Sequence, residues 1–292
     1  LYPTIYTAII GFTDLKGMGK VDFNFLENPF DNFKIILNNP SFQQSIKNTI
    51  LIWILNFIPQ ILLALLFTGW FTNHRRKIKG QGIFKVLFYM PNIITAATIA
   101  ILFNSLFGYP MGPVNDLFEK LGITDGPVNF LIQKWVARGV VAFIQFWMWY
   151  GYTMIVLISG VLGINPELFE AAEIDGASAL KRFLYVTLPN LRTILVYTLI
   201  TSLIGGLQMF DIPRLFLLGG PDNATLTTSV FVYNQAFSGS YMYNRAAAAS
   251  MIMFIIIVVL STIVFYLMRD KYAEKTKKEE RNYIKSLKKA EK

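Results

Sequence analysis

Five stretches of this chain are each long and apolar enough to cross a lipid bilayer, at about 49–71, 83–107, 139–162, 193–218 and 246–268. A helix needs about 20 apolar residues to span the hydrocarbon core. In lipid the backbone amides must be satisfied without water, which leaves only helices and closed barrels. Segments of this length and continuous apolarity confine the chain to an all-α integral membrane architecture. The hydrophobic share of 54% and the mean hydropathy of +0.45 agree with that class rather than with a soluble domain. Residues 1–12 are apolar but make only about half a span. They open on Leu1 rather than Met and read as the outer end of a truncated first helix. A signal peptide does not fit, since a charged n-region and a cleavage site are missing. Six helices, the first partial, thus make one transmembrane domain over 1–268.

The net charge of +9 would suggest a nucleic-acid partner in a soluble protein, but its placement speaks for topology instead. Arg75, Arg76, Lys77, Lys79 and Lys85 crowd one short connection that holds no acid. The tail 269–292 carries a second basic run, including Arg269, Lys271, Lys275, Lys277 and Lys278. The loops 13–42, 108–138 and 219–245 balance their bases with acids or hold few charges. Positive loops stay cytoplasmic. Alternation then puts the loop 163–192 and the C-terminus inside, with the other three loops outside. The tail reads as a solvated cytoplasmic extension touching anionic lipid headgroups. There is no cysteine, hence no disulfide framework or thiolate metal site. His74 is the sole histidine and sits at a helix end beside arginines, as an interfacial residue rather than a metal ligand.

Several spans carry features that bend or pack helices. Pro59, Pro91 and Pro213 should kink their helices or free carbonyls. Gly205-Gly206 and the run Ala246 to Ala249 form small faces that let helices approach closely. In the loop after the third span, residues 114–121 have the spacing of a short surface helix. Asp211 and Arg214, three apart, are placed to pair on one helix face. Asn56, Gln60, Asn92 and Asn104 read as interhelical hydrogen-bond formers.

The loop 163–192 holds the most specific pattern. Asn165-Pro166 is a helix start, an N-cap followed by proline at the first helical position. Glu167 follows in the first turn, where a carboxylate favours the dipole. Leu168, Ala171 and Ala172 make a small apolar face, and Gly176 permits a sharp turn. The order Glu170-Ala171-Ala172, then Asp175-Gly176, then Leu188-Pro189 resembles the signature loop of ABC importer permeases. In that family the loop forms a short coupling helix that docks on a separate ATP-hydrolysing subunit. The resemblance implies that Glu170, Ala171, Ala172, Asp175, Gly176 and Pro189 belong to the ATPase-coupling segment, with Pro189 opening the fifth membrane helix. An ordinary interfacial connector is the alternative for this loop.

A second stretch extends the resemblance. Gly219-Gly220-Pro221, Thr225, Thr227 and Tyr233 to Phe237 are similar to the outer loop of sugar-type ABC permeases, the maltose-type, multiple-sugar and glycerol-3-phosphate systems. Thr13-Asp14 and Tyr89-Met90-Pro91 are similar to the same group. The resemblance implies a type-I importer fold with two permease subunits, two ATP-binding subunits and an extracytoplasmic solute-binding protein. It also implies a cell-membrane location of the shorter, Gram-positive form, since no large outer domain is inserted. The chain holds no nucleotide-binding Gly-x-x-x-x-Gly-Lys-Ser/Thr, so ATP is expected on the partner subunits and no cofactor on this one.

Gln145, Trp149 and Tyr152 recur at i, i+4 and i+7 on one face of the fourth span, and Gln208 lies on the fifth. Aromatic rings stack on sugar faces and amides exchange hydrogen bonds with hydroxyls. In maltose-type relatives the corresponding regions line the sugar site, which makes these four the candidate substrate path. Helix–helix hydrogen bonding and packing are an equal alternative for them. The leading expectation is a permease subunit for carbohydrate, an oligosaccharide before glycerol-3-phosphate because mid-span bases are lacking. An ion-coupled secondary transporter or channel is the runner-up; it needs intramembrane ionisable residues, and only Asp211 offers itself. A membrane enzyme has no catalytic constellation to support it.

Overall fold

In the computed structural model, which describes residues 2–73, 79–239 and 241–268, two short helices, α1 (Tyr2–Ile10) and α2 (Asp31–Leu37), precede the first full span. His74, Arg75, Arg76, Lys77 and the tail 269–292 lie outside the described residues. Between α1 and α2 the backbone N–H of Asn24 donates to the Asp14 carboxylate at 2.8 Å, which holds that group below its ordinary pKa.

Asn39 and Pro40 set the start of α3 (Pro40–Phe71). The Asn39 side-chain oxygen accepts from the backbone N–H of Ser41 at 2.9 Å and of Phe42 at 3.2 Å, and Pro40 has no N–H to leave unsatisfied. The helix runs 32 residues, about 48 Å at 1.5 Å per residue. It begins well before the expected 49–71 because capping, not hydropathy, decides where a helix starts. Pro59 lies inside it without a break.

The expected single span at 83–107 is corrected. It is two helices, α4 (Gln81–Ile93) and α5 (Ala96–Leu106), bent by 92° at the break. Pro91 weakens the last turn of α4. Thr95 then turns extended and caps α5, its hydroxyl accepting from the Thr98 N–H at 3.3 Å. The short surface helix expected at 114–121 is present as α6 (Pro113–Lys120). α7 (Lys134–Leu162) follows as one unbroken helix.

α8 (Pro166–Ile174), α9 (Ala179–Arg182), a π-helical turn over Phe183–Thr187 and α10 (Leu188–Asn190) form the next connection. α11 (Arg192–Leu207) therefore starts just beyond Pro189 rather than at it. The span expected at 193–218 is interrupted, since α12 (Asp211–Leu217) resumes only after Gln208, Met209 and Phe210. α13 (Thr228–Phe237) and α14 (Tyr243–Met268) complete the chain. Among the described residues, α3, α7, α11 with α12, and α14 are long and apolar enough to cross a membrane, and the bent α4–α5 pair makes a fifth. α1, at nine residues, is too short to cross alone.

α7 packs along both α3 and α4, α12 lies against α5, and α14 touches α1, α2, α11 and α13. The loops sort into two ends. At one, Arg138 Nε donates to the Ala224 carbonyl at 3.0 Å, Lys134 pairs with Asp222 at 3.3 Å, and Asn244 Nδ2 donates to Asn32 Oδ1 at 3.2 Å. At the other, Gln81 Nε2 donates to the Phe71 carbonyl at 2.6 Å and Arg192 Nε to the Met268 carbonyl at 3.0 Å.

Candidate substrate path and coupling segment

A cavity of about 440 Å³ opens between α3, α7, α11 and the α11–α12 break. Each helix contributes one face. Trp53, Asn56 and Gln60 come from α3; Gln145, Trp149, Tyr152 and Thr153 from α7; Tyr197, Thr198, Thr201 and Gly205 from α11. These spacings of three, four and seven are the rows that share one side of an α-helix. Gln208 and Asp211 enter from the break. The four residues singled out in the sequence, Gln145, Trp149, Tyr152 and Gln208, thus line one space. The hydroxyl face of α11 was missed there, although its Thr198, Thr201 and Gly205 repeat was present to be read.

Polar contacts fix the walls. Gln60 Nε2 donates to Thr153 Oγ1 at 2.7 Å, tying α3 to α7. Trp53 Nε1 donates to Ser202 Oγ at 3.2 Å. Trp53 also packs so tightly on Gly206 that a Cβ there would overlap the indole ring. Trp149 and Tyr152 meet edge to face at 5.8 Å. Asn56 is a correction: its amide donates at 3.0 Å to Ile52 of its own helix and faces the cavity instead of bridging helices. Gln60 bridges helices and lines the cavity at once. Thr198 is buried, and its hydroxyl has no hydrogen-bond partner.

The α11–α12 break is built by the residues after it. Thr228 Oγ1 donates to the Leu207 carbonyl at 3.3 Å and Thr227 Oγ1 to the Met209 carbonyl at 2.9 Å. These hydroxyls replace the helical donors that the interruption removes, as apolar surroundings demand. Thr225 Oγ1 closes its own loop on the Gly220 carbonyl at 2.6 Å. Asn48 Nδ2 on α3 reaches the carbonyls of Asn223 at 2.6 Å and Leu226 at 3.1 Å, and its Oδ1 accepts from Arg138 Nη2 at 2.9 Å. The Gly-Gly-Pro loop and its threonines therefore clamp the α11–α12 break and tie it to α3.

The expected Asp211–Arg214 pair is not formed. Arg214 Nη1 donates to Asn234 Oδ1 at 3.2 Å, and its guanidinium lies 4.7 Å above the Tyr233 ring. Stacking on α13 outcompetes the local i, i+3 partner because an exposed ion pair contributes little. The Asp211 side chain is left at the cavity.

In the connection, the Asn165 side chain accepts from the Glu167 N–H at 3.1 Å and caps α8. Gly176 ends the segment at φ +74, where a Cβ is strained. No residue of α8 is buried, and Glu170, Ala171 and Asp175 are exposed. What the sequence did not reveal is Arg182. It is buried, with its Nη1 2.9 Å from Glu173 Oε2 on α8. The pair joins the free helix to the π-helical turn, whose Phe183 ring touches Gly69 near the end of α3. Arg182→Ala is expected to lower stability by about 1–3 kcal/mol, less than a fully buried pair, because Glu173 keeps 40% side-chain exposure. Thermal unfolding of the detergent-solubilised complex reads this, and the reversed pair Glu173→Arg with Arg182→Glu should recover part of the loss.

Residues 48–278 match the model of a family described as binding-protein-dependent transport system inner membrane component. The chain belongs to that family. It is a transport permease, and the connection 163–192, the cavity and the Gly-Gly-Pro loop all fall inside the matched region. It is 30% identical over 273 residues to the lactose transport system permease protein LacF of Rhizobium radiobacter, covering 93% of this chain and 89% of that one. It is 31% identical to the arabinooligosaccharides transport system permease protein AraP of Bacillus subtilis (strain 168), over 85% of this chain and 76% of that protein. The same identity relates it to the multiple sugar-binding transport system permease protein MsmF of Streptococcus mutans, over 85% and 82%. A crystal structure of a bacterial ABC transporter involved in the import of the acidic polysaccharide alginate superposes with a TM-score of 0.76. The identity there is 23%, with 92% of this chain and 89% of that one covered. At that distance the likeness shows the fold: this permease has the fold of an ABC importer's membrane subunit.

Proposed function

We propose that this permease forms half of the translocation path of an ATP-driven importer for saccharides, oligosaccharides before glycerol-3-phosphate. The observation that carries it is the cavity. Aromatic rings (Trp53, Trp149, Tyr152, Tyr197), amides (Asn56, Gln60, Gln145, Gln208) and hydroxyls (Thr198, Thr201) converge on one space. Rings cover the apolar faces of a pyranose, and amides and hydroxyls replace water around its own hydroxyls. Cavity side chains include no base for a phosphate. The three relatives named above are sugar permeases by name, which supports the same class.

A single chain offers only one wall of a path, so a second permease of the same fold supplies the other. The exposed α8, with Glu170, Ala171, Ala172, Asp175 and Gly176, serves as the helix that docks on an ATP-binding subunit, two of which complete the engine. A solute-binding protein delivers cargo to the end that holds the Gly-Gly-Pro clamp. The C-terminus and α8 lie on the cytoplasmic side of a bacterial, Gram-positive-type membrane, and ATP is held by the partners. Affinity purification from native membranes tests this. Recovery of a second permease, an ATP-binding subunit and a solute-binding protein whose ligand is a saccharide is the expected result. A chain that purifies alone as a stable self-associated species would contradict the assembly.

A further inference from the structure

The charges around the cavity are one-sided. Every polar lining group is neutral except Asp211. No base lines the cavity, and the bases nearby in sequence make their contacts outside it: Arg214 with Asn234 and Tyr233, Arg138 with Asn48, Ala224 and the Trp135 ring, and Lys134 with Asp222. The Asp211 carboxylate makes no ion pair or side-chain hydrogen bond among the described residues. It stands at the α11–α12 break, where the walls are held by the Thr227 and Thr228 hydroxyls rather than by any counter-ion. Thr198, 6% exposed, is among the neutral lining residues. Asp211 is exposed at the cavity, where a ligand can reach it, and is the one charged group that an entering solute meets on this wall.

We infer that Asp211 sets the charge of the cargo: this wall of the path passes neutral and amine-bearing saccharides and rejects carboxylate- or phosphate-bearing ones. The inference rests on the reading of the cavity as a saccharide path and adds its selectivity. A cleft lined by charge of one sign biases which solutes enter it, drawing the opposite charge and repelling the like one. A saccharide amine meets an acceptor there, whereas a uronate meets a like charge with no guanidinium or ammonium among the lining residues.

The chain has no cysteine, so a thiol placed in the cavity is the only one this subunit presents. Thr201→Cys in the assembled importer, in membranes, is treated with methanethiosulfonates bearing either a trimethylammonium or a sulfonate group. The ratio of the two modification rates reads the potential inside the cavity without knowledge of the cargo. The expected ratio favours the cationic reagent, and Asp211→Asn, which keeps the side chain's shape, should reduce it by roughly tenfold, the effect of about 1.4 kcal/mol. A ratio that Asp211→Asn leaves unchanged, or a thiol that neither reagent reaches, overturns the inference. Cargo uptake after modification separates the two ideas. If the ratio shifts as expected but the modified importer still transports normally, the charge assignment stands and the path reading fails.

Discussion

Glu170→Lys is expected to abolish uptake by the assembled importer while leaving the permease folded. Glu170 is exposed on a helix that buries none of its residues in this chain. Its replacement therefore removes no internal contact, and the expected stability change is within about 0.5 kcal/mol. The surface around it is unusually apolar for a solvent-facing segment. Leu168 is 45% exposed, Ile174 86% and Leu180 66%, a patch of the kind that marks a protein contact. A lysine at Glu170 would set a like charge against any basic group on the partner that meets this carboxylate. Reversing one charge of a desolvated interface pair costs about 2–5 kcal/mol or more. That corresponds to a fall of about 30-fold or more in coupled turnover, since each 1.4 kcal/mol is tenfold. Thermal unfolding should be unchanged, and ATP hydrolysis by the complex should no longer respond to cargo. Wild-type uptake in this variant would remove α8 from the coupling role. Arg182→Ala offers the contrast, because it should lower stability as well as transport.

Gly151→Leu is expected to destabilise the permease outright. Gly151 sits mid-way along α7, where α4 crosses it backbone to backbone. A Cβ there would overlap the Phe88 carbonyl oxygen, lie 2.6 Å from its carbon and come 2.9 Å from the Tyr89 Cα. These are backbone atoms, so no rotamer change relieves the clash, and α4 must move away. Overpacking a well-fitted contact costs about 1–3 kcal/mol and more when backbone must shift. Here the shift would also part the stacked Phe67 and Phe88 rings and the Tyr150 ring tilted against both, at the α3–α4–α7 junction. A loss of about 3 kcal/mol or more, seen as a large fall in yield and unfolding temperature, is the expected outcome. Gly205→Ala is the control. Nothing lies within 4 Å of a Cβ at Gly205, so that variant should keep its unfolding temperature; equal behaviour of the two variants would show that the α4–α7 approach is not a constraint.

The two glycines illustrate what the sequence could and could not reveal. Gly205-Gly206 drew attention because paired small residues in a span are visible as a pattern. Gly151 stands in an aromatic stretch and shows nothing until α4 is laid across it. Local signals read well. Asn165 and Pro166 start α8, Gly176 ends it at positive φ, and the i, i+4, i+7 row on α7 faces one cavity. Long-range choices read poorly. The run at 83–107 is apolar throughout, and hydropathy records length in lipid but not direction. Proline could not resolve it either, since Pro59 sits in an unbroken α3 while Pro91 precedes a bend of 92°. Asp211 and Arg214 have the right spacing to pair, yet Tyr233 and Asn234 arrive from another helix and take the arginine. Without that partner, Asp211 is left as the one charged residue lining the cavity.

Reconstitution tests the central claim most directly: the permease with its co-purified subunits in proteoliposomes, with the solute-binding protein and labelled saccharide on one side. The account predicts uptake that needs ATP on the side of α8, is lost in Glu170→Lys, and is indifferent to ionophores. Uptake that proceeds without ATP and collapses when the ion gradient is dissipated would contradict it, and would make Asp211 a coupling-ion site rather than a filter for cargo charge.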